Sequence, residues 1–317
     1  MGLENQSIEN NVVVKRWVRR SGFEMPLHPL QLISWFVFGF DFIIFFAVDM
    51  VSLAYNPGLV AVLSVLFIVI QIITVYYCVM ATKCDPTDPT IRLSKEVEAR
   101  GEKFNTDDYE YECDVCKSAV LDGSKHCGAC NRCTHGFDHH CRWLNNCVGA
   151  ANYTYFFRLI VIVFLSSLLH NLTNFAVLFH LFREHEPLLE VHNRFFNRAL
   201  ILEFKILIGV AMVFNFASLL FLGHLIPFHI MLQRRGMTTF EYIKWKANKT
   251  TKSKIIKRKS EKQKSIEEMN TLVTAHEIKI QTENSLSRLQ DEKPEETTRV
   301  AVTESPAKNI QNIDIMD

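Results

Sequence analysis

Four runs of this chain are apolar over the roughly twenty residues that a helix needs to cross a bilayer, and they limit its possible folds more than any other feature. They are approximately Pro29 to Asp49 (PLQLISWFVFGFDFIIFFAVD), Leu59 to Met80 (LVAVLSVLFIVIQIITVYYCVM), Phe156 to Leu181 and Ile206 to Met231. None carries a polar face of helical period, which argues against buried helices of a soluble core. In hydrocarbon every backbone N–H and C=O must be paired within the segment, so each run is read as a membrane-spanning helix. The formal net charge of +1 over 317 residues conceals this uneven layout, in which apolar runs flank a cysteine-rich middle and a charged tail follows.

Basic residues near the span ends give the orientation, because cytoplasmic flanks carry the excess. Lys15, Arg16, Arg19 and Arg20 precede the first span, whereas the hairpin Met50 to Gly58 has no Lys or Arg. The N-terminus is therefore expected in the cytosol, and an even number of spans returns the C-terminus there, where Arg234, Arg235, Lys244, Lys246 and Lys249 follow the last span. Arg183, Arg194, Arg198 and Lys205 between spans three and four weaken this signal without reversing it. Sequons at Asn5, Asn152, Asn171 and Asn248 then fall in cytosol or inside span three and should carry no glycan. No cleavable signal peptide is expected, and MGLENQS misses the myristoylation pattern because Ser7 stands one place late.

Between spans two and three, residues 113 to 147 hold seven of the nine cysteines together with His126, His135, His139 and His140. Cysteines two residues apart beside histidines in a reducing compartment read as zinc ligands and not as disulfides. Two sites of three cysteines and one histidine would take six cysteines and two histidines, leaving one cysteine and two histidines over. Adjacent residues such as His126 and Cys127 point to opposite faces of an extended segment, so they serve two different metals. Counting alone does not say which cysteine is spare.

The motifs CDVC, KHCGACNRC, DHHC and NNCVGAANY, with the spacing C-x2-C-x9-HC-x2-C-x2-C-x4-DHHC-x5-C, resemble the cysteine-rich domain of the DHHC protein S-acyltransferases, the palmitoyltransferases. CDPTDPT at Cys84 to Thr90 resembles that family's DPG-type motif with Thr87 in place of the usual glycine, and MTTFEY contains a TTxE motif at Thr238 to Glu241. The resemblance covers about residues 26 to 245. It implies an α-helical polytopic membrane protein, with four transmembrane helices and a small cytosolic double-zinc domain between helices 2 and 3. The expected segments are a cytosolic N-terminal stretch at 1–28, helices 1 and 2 at 29–81, the zinc domain at 82–155, helices 3 and 4 with a lumenal loop at 156–233, and a cytosolic tail at 234–317.

The resemblance assigns Cys113, Cys116, His126 and Cys133 to one structural zinc, and Cys127, Cys130, His140 and Cys147 to the other. It leaves Cys141 as nucleophile, His139 as base, Asp138 as the group orienting that base and Thr239 as the residue positioning Asp138. The implied reaction moves a long-chain acyl group from palmitoyl-CoA to Cys141 and then to a cysteine of a substrate protein. Lys125, Arg132, Arg142 and Trp143 are candidate contacts for acyl-CoA. Arg142 replaces the proline usual in the family, which places another charge beside the nucleophile. The expected partners are palmitoyl-CoA, substrate proteins with membrane-proximal cysteines and the lipid bilayer, with no nucleic acid, and the expected location is an endomembrane such as ER or Golgi. The competing reading is a catalytically silent, zinc-containing membrane scaffold; a transporter is a distant third, since no repeat of the spans is visible.

Asp41 inside span one is costly facing lipid, so it is expected to face the bundle or a water-filled cavity, with His170, Asn171 and Asn174 of span three as candidate partners. His135 reads as an exposed bystander, Cys78 and Cys84 as ordinary thiols, and Trp143 as an interfacial indole. From Arg234 to Lys264 twelve Lys or Arg stand against two Glu, a run attracted to anionic lipid or simply solvated. Residues 262 to 290 show a weak helical stripe of Ile266, Met269, Leu272 and Val273, and DEKPEETTRVAVTESPAKN reads as disordered.

Overall fold

The computed structural model describes residues 8–9, 12–13, 17–196 and 200–291. Strands β1 (Ile8–Glu9) and β2 (Val12–Val13) form an antiparallel pair. Three helices then begin in the same way. His28, Asn56 and Asp88 each accept a bond from a backbone N–H two or three residues on, and Pro29, Pro57 and Pro89 follow them. A capping side chain satisfies one orphan donor of the first turn, and proline at the first helical position has no N–H to leave unpaired. The helices are α1 (Pro29–Ile44), prolonged by a π-helical turn at Phe45–Met50, α2 (Pro57–Lys83) and α3 (Pro89–Ala99). After the cysteine-rich hairpins come α4 (Tyr153–Phe182), α5 (Glu186–Phe195), α6 (Ile201–Arg235) and α7 (Thr239–Asp291).

Four helices are long and apolar enough to cross a membrane: Pro29–Met50, Pro57–Lys83, Tyr153–Phe182 and Ile201–Arg235. Val62, Ile72, Leu172, Phe175, Val213 and Leu220 stand exposed on them, as lipid-facing side chains do. The first span runs one residue past the apolar segment that signals it and the other three extend beyond theirs at both ends, since a helix does not end where hydrocarbon ends. α4 packs against both α2 and α6. One core cluster, around Phe45, Phe67, Val177 and Ile208, contains a stacked Phe45–Phe67 pair at 3.7 Å. A second, around Ala81, Leu144, Val148, Phe156 and Leu222, lies where the spans meet the hairpins.

Between α3 and α4 the chain makes three antiparallel hairpins: β3 (Tyr111–Cys113) with β4 (Ser118–Val120), β5 (Lys125–Cys127) with β6 (Arg132–Thr134), and β7 (His139–Cys141) with β8 (Asn146–Val148). Each closes through a four-residue turn whose last residue, Lys117, Asn131 or Asn145, has φ of 51°.

The hairpins are fastened to the spans through the end of α2, whose last carbonyls have no partner within the helix. Asn146 Nδ2 donates to the carbonyls of Ala81, Thr82 and Cys84 at 3.2, 3.1 and 2.8 Å, and Asn152 Nδ2 to those of Ala81 and Cys147 at 3.1 and 2.9 Å. Asn152 is fully buried, so its sequon offers no glycan acceptor in the folded chain. Residues 17–28 strap across the same junction. Arg19 N donates to the Cys130 carbonyl, Gly22 N to that of Thr82, and Asn145 Nδ2 to those of Gly22 and Pro26.

Several expectations need correction. Arg19 is buried with its guanidinium on the carbonyls of Glu24 and Pro26, so it is a fastening residue and not a free flanking charge. Lys15 and Arg16 lie outside the described residues. The loop between spans three and four contains α5, opened by Pro187 in its first turn. His135 is half-buried, with Nδ1 3.5 Å from Ser124 Oγ. The tail helix does not begin near residue 262 but at Thr239.

The chain divides into two units, Met1–Asn248 and Lys249–Asp317. In the second, helix continues to Asp291, and Ile266, Met269, Leu272 and Val273 are all exposed. The segment reading as disordered lies outside the described residues beyond Asp291.

Candidate active site

The two ligand sets proposed from sequence come together as two separate clusters, Cys113, Cys116, His126 and Cys133, and Cys127, Cys130, His140 and Cys147, with the donor atoms of each within 4.8 Å of one another. Their spacings provide a test of fit. Zinc bonds of about 2.3 Å to sulfur and 2.0 Å to nitrogen give tetrahedron edges of roughly 3.8 Å between sulfurs and 3.5 Å between sulfur and nitrogen. Cys116 Sγ stands 3.6 Å from Cys133 Sγ and 3.3 Å from His126 Nδ1; Cys130 Sγ stands 3.4 Å from Cys147 Sγ and 3.4 Å from His140 Nδ1. Bonds from Cys130 and Cys147 lower the pKa of the Cys127 thiol. So many packed sulfurs cannot all be thiolates without a cation among them, and zinc is the ion this donor set suits.

The register of the hairpins explains why neighbouring residues divide between sites. His126 pairs with Cys133 across β5–β6, and His140 with Cys147 across β7–β8. Alternate residues of a strand share a face. His140 therefore turns to the metal while His139 and Cys141 turn together to the other side, where Phe156 packs 5.1 Å from the His139 ring and in one apolar cluster with Cys141.

On that side, His139 Nδ1 lies 2.7 Å from Asp138 Oδ2. Thr239, the first residue of α7, donates to Asp138 twice, from its N–H to Oδ1 at 2.7 Å and from its hydroxyl to Oδ2 at 2.8 Å. Burial alone would raise the Asp138 pKa, but the bonds from His139 and Thr239 hold it below the usual carboxylate range. Burial likewise opposes a charged His139, yet its bonds to Asp138 and Cys141 outweigh this and push its pKa up to about 9. A thiol, an imidazole and an anchored carboxylate thus stand in line, the arrangement that activates a nucleophile.

Comparison with known proteins agrees with this geometry. A family model for DHHC palmitoyltransferases matches residues 106–246. Over those residues the chain is similar to a DHHC palmitoyltransferase domain. The chain resembles the probable protein S-acyltransferase 20 of Arabidopsis thaliana, 33% identical over 41% of this chain and 19% of the relative. It also resembles the human palmitoyltransferase ZDHHC11, 29% identical over 75% of this chain and 63% of the relative. The bovine palmitoyltransferase ZDHHC4 matches at 61% identity over 14% of this chain and 12% of the relative. The chain thus spans between a fifth and just under two thirds of the length of the first two relatives, at 19% and 63%.

Inside the matched region the hairpins form a repeat that ligand counting misses. Positions 14 apart are equivalent: Cys113, Cys127 and Cys141 end the first strands, Cys116, Cys130 and Leu144 occupy the turns, and Lys117, Asn131 and Asn145 take the left-handed position. Each metal takes two cysteines from one turn and a histidine and cysteine from the next hairpin. Cys141 is the turn cysteine of the last hairpin. Among the described residues no fourth hairpin follows it, and Leu144 replaces its partner ligand, which leaves it free of metal.

The four candidate acyl-CoA contacts part company. Arg132 is 2% exposed, and its guanidinium bonds Asp85 at 2.8 Å, Asn146 at 2.6 Å and the Arg20 carbonyl at 2.9 Å. It clamps the CDPTDPT segment to β8 and is withdrawn as a phosphate partner. Lys125 is exposed with its ammonium 6.0 Å from the Phe240 ring. Arg142 and Trp143 are exposed at the tip of the third turn, where the earlier turns carry Asp114 and Val115, then Gly128 and Ala129, all exposed. That position tolerates any side chain, so Arg142 leaves the turn's shape alone. In the CDPTDPT segment Thr87 N donates to Asp85 Oδ1 at 3.0 Å, and Asp88 both caps α3 and accepts from Leu121 N at 3.0 Å.

Sequence reasoning missed His229 of α6. It is buried, its Nδ1 is 3.0 Å from the Tyr153 hydroxyl, and its ring is 6.3 Å from that of His139. A histidine within an apolar run, distant in sequence from the cluster, gives no local signal.

Proposed function

We propose that the protein is a protein S-acyltransferase that moves a palmitoyl-class chain from acyl-CoA to cysteines of substrate proteins by way of a thioester at Cys141. The observation that carries this is the shared face of His139 and Cys141 on β7, with the other nitrogen of His139 bonded to an Asp138 fixed by Thr239.

In the first step the Cys141 proton passes to His139 Nε2 and the sulfur attacks the thioester carbon of acyl-CoA. The carbon–sulfur bond to CoA breaks, and the leaving thiolate takes the proton back from the imidazolium. In the second step the substrate cysteine gives its proton to His139 and attacks the acyl carbon; the bond from that carbon to Cys141 Sγ breaks, and the leaving Cys141 thiolate takes the proton back from the imidazolium. One thioester replaces another at each step, so the rate depends on positioning and on thiol activation. Zinc in this scheme is structural: it holds the hairpins in shape.

Phe156, Leu159, Ile160 and Leu222 make the surroundings of Cys141 apolar. They suit the first carbons of an acyl chain entering between the spans, each buried CH2 contributing about 0.8 kcal/mol. Lys125, Arg142 and Trp143 are the contacts we assign to the CoA end. Both termini are read as cytosolic from the flanking charges, in an endomembrane, with substrates presenting cysteines close to the bilayer.

The test is hydroxylamine-sensitive labelling of the purified protein by a clickable palmitoyl-CoA. Label on wild type and on Cys84→Ala but not on Cys141→Ala supports the reading. An unlabelled wild type holding two zincs favours a scaffold instead.

A further inference from the structure

Four polar side chains meet inside the apolar spans, about 25 Å along α4 from Tyr153 at its 1.5 Å rise per residue: Asp41, Asp49, His170 and Asn215. Asp41 does pair with His170, its Oδ1 3.0 Å from Nδ1, and Asn215 Nδ2 donates to the same oxygen at 2.7 Å. Asn171 instead bonds the Ser167 carbonyl of its own helix at 3.2 Å. The sequence did not show that the other nitrogen of His170 lies 3.0 Å from Asp49 Oδ2. In a regular α-helix, residues eight apart are turned roughly 80° from one another. The wider π-helical turn at Phe45–Met50 takes up that angle and brings both carboxylates to one imidazole.

The geometry of this triad sets the least number of hydrogens it must hold. A carboxylate 3.0 Å from an imidazole nitrogen needs a hydrogen between them, and a neutral imidazole carries only one N–H. Two such contacts require one proton beyond a neutral imidazole between two carboxylates, and with that proton alone the triad carries one net negative charge. A charge left uncompensated among apolar spans is costly.

Asp49 Oδ1, Ser52 Oγ and both polar atoms of Asn174 are buried, with no hydrogen-bond partner among the described residues. Asp49 and Asn174 are 0% exposed and Ser52 1%. α1 and α4 run in the same direction, because one span separates them. Ser52 stands three residues past Asp49 and Asn174 four past His170, about one helical turn in each case, and the π turn packs against α4. α2 closes the place with Phe67, 5.9 Å from the His170 ring.

We propose that this is a binding site for a small monovalent cation of the sodium class, with Asp49 Oδ1, Ser52 Oγ and Asn174 Oδ1 as donors. Oxygen donors suit a hard cation. One positive charge cancels the residual charge of the triad, whereas a divalent ion would reverse it. The site is remote from Cys141 and does not depend on the acyltransfer reading.

The experiment is thermal unfolding of the full chain in nanodiscs at fixed pH and ionic strength, with sodium chloride exchanged for choline chloride. Binding to the folded state stabilises by linkage, so above half-saturation each tenfold increase in sodium should raise the folding constant about tenfold. The effect should vanish in Asp49→Asn and shrink in Ser52→Ala, which removes one hydroxyl and remains decisive if the first variant does not fold. Equal stability in both salts, or a sodium effect that survives in Asp49→Asn, overturns the proposal. Stabilisation by acid in place of sodium overturns it too, since a second proton would then supply the missing charge.

Discussion

Thr239 reaches Asp138 through both its backbone and its hydroxyl, and this allows its contributions to be separated. Thr239→Ala keeps the N–H bond and loses the hydroxyl bond. A hydrogen bond to a charged group contributes about 1.5–3 kcal/mol, so acyl-enzyme formation, followed by rapid quench, should slow by roughly 10- to 100-fold, and Thr239→Ser should restore most of it. Asp138→Asn leaves the shape intact but presents an amide to His139 Nδ1, which favours the wrong tautomer; the expected loss is roughly a thousandfold or more. Near-wild-type rates in both variants would dismiss the line of three groups as the source of activation. At this scale the site was largely legible, because DHHC and TTxE are short and rigidly spaced. Arg132 was not: its partners Asp85 and Arg20 are remote in sequence, and an arginine in a polar zinc module looks exposed until those contacts are made.

The third hairpin depends on close contact with the strap before α1. A Cβ on Gly22 would stand 2.0 Å from the Leu144 carbonyl oxygen and 2.8 Å from Thr82 Cγ2. Backbone cannot yield as a flexible side chain does, so Gly22→Ala must push the strap off the turn that carries Cys141, at a cost of about 1–3 kcal/mol. Acyl-enzyme formation should fall while both zincs remain bound, which metal analysis beside the labelling assay would establish; simultaneous loss of metal and label would mean the whole module had collapsed. The hairpin repeat was present in the sequence as Cys113, Cys127 and Cys141 at intervals of 14. Counting ligands by type hides it, since Leu144 breaks the pattern in the turn that follows Cys141. The π-helical turn had no such trace, because FFAVDM contains no Gly or Pro to mark a break in the α-helix.

At the scale of the whole molecule two different physical agents hold the parts in place. The spans are fixed by hydrocarbon, which forces each backbone to pair within itself, and this is why their number and order could be read directly. The hairpins have strands of three residues, and two of their core clusters consist mainly of ligand cysteines, so without metal they have little apolar surface to bury. The two agents should therefore separate under a chelator. Removing zinc from the full chain in detergent should release two ions per chain and abolish acyl-enzyme formation, yet leave the helical circular dichroism nearly unchanged, since the described helices lie outside the hairpins. Asn146 and Asn152 would then leave the end of α2, exposing carbonyls that water at the membrane surface can satisfy, so the spans lose no bond they cannot replace. Proportional loss of helicity with zinc would show instead that the hairpins hold the bundle together. Labelling that persisted in zinc-free protein would show that Cys141 needs only its neighbours on the spans, and the repeat of three turns would lose its role in presenting the nucleophile.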